Sequence, residues 1–85
     1  MHNSTHTVRA AHRELAARFH QVRGLGWPLT ARDQQPLYNL IHRMLDQAED
    51  YIEVGEVAAA MRSITVGGTA ITTLSALHDL ETMEF

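Results

Sequence analysis

The sequence predicts an all-α protein, in which a helical hairpin with one long helix precedes a C-terminal helix and several chains assemble into a helical bundle. Apolar residues recur at spacings of three and four along most of the chain. Clusters rich in glycine and proline separate the periodic segments. The 85 residues contain no cysteine to staple so small a core. We therefore expect a single domain over residues 1–85 that self-associates, as a homodimer or a larger assembly.

The first helix is expected over residues 5–23. Ser4 or Thr5 can cap it by accepting a hydrogen bond from an early backbone N–H. An apolar stripe at helical spacing consists of Val8, Ala11, Leu15, Phe19 and Val22. Gly24 adopts positive φ without a steric cost, so we expect the helix to end there. Residues 24–33 then form a loop, because glycines and a proline interrupt the pattern.

Trp27 is the most prominent residue of this loop, and two interpretations of it are open. The tryptophan can fold back over the helix ends as an apolar plug. It can also be an exposed anchor for a partner, since tryptophan is enriched among the residues that dominate binding energy.

The second helix is expected over residues 34–65, with Asp33 as its cap and Pro36 in the first turn, where a missing N–H costs little. Its apolar series is Leu37, Leu40, Ile41, Met44, Leu45, Ala48, Tyr51, Ile52, Val54 and Ala58. A helix of roughly 30 residues is about 45 Å long, which exceeds the length of the first helix. The C-terminal segment or a second chain must therefore cover the remaining apolar face. We expect six residues to serve burial or self-association: Leu37, Ile41, Met44, Tyr51, Leu74 and Leu77.

Residues 63–74 allow two interpretations. Gly67 and Gly68 can end the long helix, and a third helix then covers residues 69–83. Alternatively, the alternation of Thr with Ile and Val on both sides of the glycines is typical of a β-hairpin. We favour the helix break, because an isolated hairpin is marginally stable in water.

Charge is distributed unevenly behind a net value of −3. Residues 1–32 carry +4 and residues 33–85 carry −7. A basic stripe on the first helix consists of His6, Arg9, Arg13, His20 and Arg23. An acidic stripe on the second consists of His42, Asp46, Glu49, Glu53 and Glu56. These stripes are either solvated faces that complement each other or a basic face for an acidic partner, and for a partner we expect contacts from Arg9, Arg13 and Trp27.

A short stretch resembles a known family. Ile41-His-Arg-Met-Leu-Asp46 is similar to the His-x-Met-Leu-Asp stretch in the second helix of Dps, the ferritin-like DNA-protecting family. Residues 56–58 and 67–73 are similar to the end of that helix and to the loop after it, so the resemblance covers about 35 residues with a small gap. It implies a truncated ferritin-like protein with a metal site between subunits.

The family's iron-binding pattern is incomplete in this chain. The two acidic ligands fall on positions such as Gly55 and Ala59, and only His42 matches a ligand position. No Glu-x-x-His pair of the four-helix di-iron type occurs in the sequence. We assign no metal or cofactor, and the sequence leaves open whether metal binds the stripe His42, Asp46, Glu49 and Glu53.

Catalysis has no supporting motif. The chain lacks a cysteine or lysine nucleophile, a G-x-S-x-G element and a phosphate-binding glycine loop. We assign no catalytic residue, although the sequence alone leaves enzymatic activity undecided. No apolar run is long enough to cross a membrane and no signal-peptide core is present, so we expect a cytoplasmic location.

The leading hypothesis is a small non-enzymatic interaction or regulatory protein that self-associates and binds a partner protein through helix faces. One alternative is the truncated ferritin-like metal-binding protein. A second is weak nucleic-acid binding through the basic first helix, which the net negative charge of the chain disfavours.

Overall fold

The computed structural model describes residues 3–24 and 35–82, and in this part of the chain every regular element is an α-helix. Helix α1 is Asn3–Arg23, α2 is Gln35–Glu53 and α3 is Val57–Thr82. The predicted all-α class is confirmed for these residues. Assembly of several chains into a bundle stays a prediction.

Helix α1 begins two residues earlier than expected and ends at the expected position. The N–H of Gly24 donates to the carbonyl oxygens of His20 and Gln21, both at 3.1 Å, and so satisfies acceptors of the last turn. The rest of the expected loop, the Asp33 cap and Trp27 lie outside the described residues.

The single long helix expected over residues 34–65 is wrong, because a turn divides it. Gly55 has a φ of 80°, a left-handed conformation that glycine adopts without strain. The N–H of Glu56 donates to the carbonyl of Tyr51 at 2.8 Å, and that of Gly55 donates to the carbonyl of Ile52 at 3.1 Å. This pair of bonds is the Schellman motif that closes a helix C-terminus. The chain therefore reverses at Gly55, and α3 runs back along α2.

The helix break expected at Gly67 and Gly68 is also wrong, and so is the hairpin alternative for residues 63–74, because all of them lie inside α3. A Cβ atom at Gly67 would lie 2.9 Å from Cδ2 of Leu15 and 3.4 Å from Cβ of Met44. Gly67 thus sits where α1 and α2 both approach α3 closely, and the missing side chain makes room for that contact.

Contacts at two levels establish the topology of the bundle. His12 of α1 lies beside Leu45 of α2, and Phe19, further along α1, contacts Tyr38 near the start of α2. These two helices are therefore antiparallel. Helices α2 and α3 are antiparallel as well, since the turn at Gly55 joins them, so α1 and α3 run in the same direction.

One cluster of buried apolar side chains, drawn from all three helices, forms the core. Its members are Val8, Leu15, Phe19, Val22, Ile41, Ala48, Ile52, Ala60, Ile64, Ala70, Ile71 and Leu74. The predicted α1 stripe faces this core, as the spacing of three and four requires. Burial of these side chains holds the outward faces of the helices in fixed positions.

Candidate functional site

The outward face of α1 is basic. Five of its side chains are exposed at helical spacing and define the basic face of α1: His6, Arg9, Arg13, His20 and Arg23. Arg23 also places its guanidinium 5.6 Å from the centre of the buried Phe19 ring, a cation–π distance. The other four point away from the core and are available to a ligand.

The outward face of α2 is acidic. The acidic face of α2 consists of exposed residues of this helix and of the turn after it: His42, Asp46, Glu49, Glu53 and Glu56. Within residues 3–24 and 35–82, no arginine of α1 forms an ion pair with a carboxylate of α2. The two faces therefore lie side by side on one bundle without neutralising each other through direct contacts.

A cleft between these two helices brings both kinds of charge together. Its lining consists of Arg9, His12, Arg13, Glu49 and Ile52. His12 donates from Nε2 to the carbonyl oxygen of Leu45 at 2.9 Å, so this histidine joins α1 to α2. Arg9 and Arg13 stand at the exposed rim, where guanidinium groups can form bidentate hydrogen bonds with carboxylates of another molecule.

His42, the residue that matches a Dps iron-ligand position, packs against an aromatic ring. Its imidazole meets Phe19 edge-to-face with ring centres 4.9 Å apart. In the described part of the chain, no group of three or more His, Asp or Glu side chains is arranged to hold a metal ion. The stripe of His42, Asp46, Glu49 and Glu53 is spread along the helix and does not converge on one point.

The outward face of α3 differs from the other two. We define the outer face of α3 by its exposed residues, which are Ala58, Met61, Arg62, Thr65, Val66, Thr69, Thr72, Thr73, Ala76, Asp79 and Leu80. Between Arg62 and Asp79 the sequence contains no Asp, Glu, Lys or Arg. The guanidinium of Arg18 on α1 reaches this stretch at Thr72, at 3.4 Å. Apart from that contact, the stretch presents uncharged side chains that can pack against another surface.

The threonines of the outer face have their hydroxyl groups bonded within α3. Thr65, Thr69, Thr72 and Thr73 each donate to the carbonyl oxygen four residues earlier, at 2.9 to 3.0 Å. The methyl groups of these side chains remain outside. The face is therefore less polar than its threonine content suggests, because its hydroxyl donors are already satisfied.

Two of the six residues expected to serve burial or self-association lie inside the core. Ile41 and Leu74 are both 0% exposed, so they stabilise the chain itself and cannot contact a second copy in this fold. Of the two expected roles, burial is the one these two residues have, because both belong to the core cluster that the three helices form. The remaining four are half-buried and stay predictions: Leu37, Met44, Tyr51 and Leu77.

The outer face of α3 supplies residues that sequence reasoning did not select. The signal was present, because the run from Ser63 to His78 has no Asp, Glu, Lys or Arg. This run indicates one continuous helix face only if the helix continues through Gly67, since a break there would divide the face in two. Arg9 and Arg13, by contrast, are exposed as the charge pattern predicts.

Comparison of the chain with protein-family models, curated proteins and solved structures finds no match. Among the described helices, none combines the length and apolar character that a membrane span requires. The fold and its exposed faces define the chain as a small all-α protein with three differently charged surfaces, and these surfaces are the basis for a functional proposal.

Proposed function

We propose that this protein is a non-enzymatic interaction protein that self-associates and binds a partner protein with an acidic surface through the basic face of α1. The observation that carries the proposal is the separation of exposed charge. Arg9 and Arg13 are exposed and form no ion pair with α2 in the described structure, although the carboxylate of Glu49 lines the same cleft.

Arginine on a rigid helix is well suited to this role. A guanidinium offers a planar fork of donors that matches a carboxylate, and a helix in a packed bundle holds successive forks at fixed spacing. The adjacent acidic face of α2 repels polyanions such as nucleic acid, whose charge extends in both directions. A protein with a limited acidic patch can contact α1 and avoid α2, so the charge pattern favours a protein partner.

Charge reversal at Arg13 tests the proposal. We expect Arg13→Glu, in the tagged full-length chain, to lose proteins that the wild type captures from its native cell extract, as measured by quantitative mass spectrometry. The affinity for a purified captured partner should fall by about tenfold or more and weaken with added salt. Arg43→Glu is the matched control, because Arg43 is also exposed but lies on α2.

Each outcome has a defined meaning. Loss of the same partner in Arg13→Glu and retention in Arg43→Glu supports the proposal. Equal capture by both variants contradicts it. Binding of the wild type to duplex DNA, with an affinity that falls steeply with salt and is lost in Arg13→Glu, would replace the protein partner by nucleic acid.

A further inference from the structure

We propose that the outer face of α3 binds a second copy of this chain in an antiparallel, two-fold symmetric helix pair. The inference rests on the self-association included in the proposed function and specifies where and in which orientation it occurs. In the pair, Arg62 of each copy lies opposite Asp79 of the other, and the threonines between them pack across the two-fold axis.

The spacing of the central residues is that of a helix-packing stripe. Arg62, Thr65, Thr69, Thr72, Ala76 and Asp79 follow one another at intervals of 3, 4, 3, 4 and 3 residues. This alternation is the one that faces a partner helix in a coiled coil. Small side chains at these positions allow the two helix backbones to approach closely, as in other helix pairs built on small residues.

The charges on this face select a second copy in antiparallel orientation. A two-fold axis at the level of Ala70 and Ile71 brings residue 62 of one copy to the level of residue 79 of the other. The two charged residues of the face, Arg62 and Asp79, then lie opposite each other in two symmetric pairs of opposite sign. The carboxylate of Asp79 also lies 3.9 Å from Nδ1 of His78 in its own chain. A parallel pair would instead place arginine beside arginine and aspartate beside aspartate.

The same axis pairs the remaining residues of the face by size and polarity. Met61 of one copy comes to the level of Leu80 of the other, and both are exposed in the single chain, Leu80 by 54%. Residue 65 meets residue 76, and residue 69 meets residue 72. Apolar side chains thus accumulate at the two ends, beside the charge pairs, and methyl-bearing side chains at the centre.

The internal hydrogen bonds of the threonines remove the main cost of this contact. Burial of a hydroxyl without a partner is unfavourable, but the hydroxyls of Thr65, Thr69 and Thr72 already donate to carbonyls of α3. The second copy therefore displaces water from methyl groups and leaves these three hydroxyl donors satisfied. The basic face of α1 alone, or the acidic face of α2 alone, would meet its own charge across a two-fold axis.

Charge exchange tests both the face and the orientation. The wild type should form a dimer with a dissociation constant in the micromolar range, about 1–100 μM, since one helix from each copy makes a small interface. Arg62→Asp and Asp79→Arg should each weaken the dimer by about 10- to 30-fold, because each places like charges together twice per dimer. The double variant Arg62→Asp/Asp79→Arg should recover most of the wild-type affinity.

Sedimentation equilibrium gives these dissociation constants, and circular dichroism confirms that each variant is folded. Both positions are exposed, so the helices should persist. Restoration by the double variant supports the antiparallel pairing. A wild type that is monomeric at millimolar concentration, or a dimer that neither single variant weakens, overturns the proposal.

A distance measurement distinguishes the two orientations independently. The sequence has no cysteine, so Ala58→Cys provides a single labelling site at the exposed start of α3. Spin labels on the two copies should be separated by about 38 Å in the antiparallel pair, from 25 residues of rise. A separation of about 10 Å, the distance between adjacent helices, would show a parallel pair and contradict the proposal.

The dimer and the partner site can fail separately. Arg13→Glu should leave the dissociation constant of the dimer unchanged, since α1 presents its basic face elsewhere. Arg62→Asp should leave capture of the acidic partner by α1 intact. A monomeric chain that still loses its partner in Arg13→Glu would therefore disprove the helix pair and retain the proposed function.

Discussion

The basic face of α1 and the outer face of α3 are both exposed on the same bundle, yet they suit different partners. The first presents Arg9 and Arg13 on one side of a helix, whereas the second has one positive charge and one negative charge at its opposite ends. Like charges on one face exclude contact with an identical face and attract an opposite one. Opposite charges at two ends allow an identical face to bind once it is turned around.

The largest expected effect comes from a comparison of two leucines, one on the buried side of α3 and one on its outer face. Leu74 is fully buried, and Leu74→Ala should lower the free energy of unfolding by about 2–5 kcal/mol, from lost burial and the remaining cavity. Leu80→Ala, on the outer face, should change it by less than about 1 kcal/mol, while weakening the dimer. Urea unfolding of dilute protein measures both. Similar losses for the two leucines would mean that Leu80 belongs to the core.

The two adjacent glycines of α3 differ in their surroundings, because Gly67 faces the other helices closely and Gly68 has space around it. Gly67→Val should destabilise the chain by about 2–3 kcal/mol, because the new side chain overlaps Leu15 and approaches Met44. Gly68→Val is the matched control, and it should be nearly neutral, since a Cβ there meets only Arg18, at 3.9 Å. Equal midpoints of urea unfolding for the two variants would contradict the close approach at Gly67.

Conversion of the outer face of α3 into a basic face should remove its ability to bind a second copy. Thr65→Arg/Thr69→Arg places four added cations around the two-fold axis of the dimer and should weaken self-association by about 30- to 100-fold. Thr5→Arg/Thr7→Arg makes the same chemical change on exposed positions of α1 and should leave the dimer intact. Sedimentation at several concentrations compares them, and an unaffected Thr65→Arg/Thr69→Arg dimer would place the interface elsewhere.

The smallest expected effect concerns the border between the two faces. The guanidinium of Arg18 on α1 donates to the hydroxyl oxygen of Thr72 at 3.4 Å, beside the proposed two-fold axis. In the dimer the two copies of Arg18 lie on the same side of the helix pair and repel weakly, because both are exposed. Arg18→Gln should therefore tighten the dimer by about two- to threefold. A weaker dimer would instead assign Arg18 an attractive contact.

For helix α1, the local sequence pattern was enough to predict where the helix ends and which side is exposed. Its apolar stripe and Gly24 predicted its C-terminal end correctly, and the exposure of Arg9 and Arg13 follows from the same periodicity. For helices α2 and α3, the local sequence pattern did not predict the turn between them. The apolar spacing continues across Gly55, so periodicity alone extended one helix through the turn that the Schellman hydrogen bonds close.

The glycines explain the failure in physical terms. Gly55 supplies positive φ at a helix end, whereas Gly67 supplies space for Leu15 in the middle of a helix. Both structural roles favour glycine, and the residues around each glycine do not indicate which role it has. The distinction requires the position of α1, which comes from a part of the chain far away in sequence.

The sequence by itself determined the all-α class, the end of α1 and the separation of positive from negative charge, because each depends on local spacing and composition. The tertiary structure decided which glycine turns the chain, which leucines are buried and which face of α3 remains uncovered. These features depend on how α1 and α2 pack against α3. Packing is a property of all three helices together, so the local sequence of one segment does not determine it.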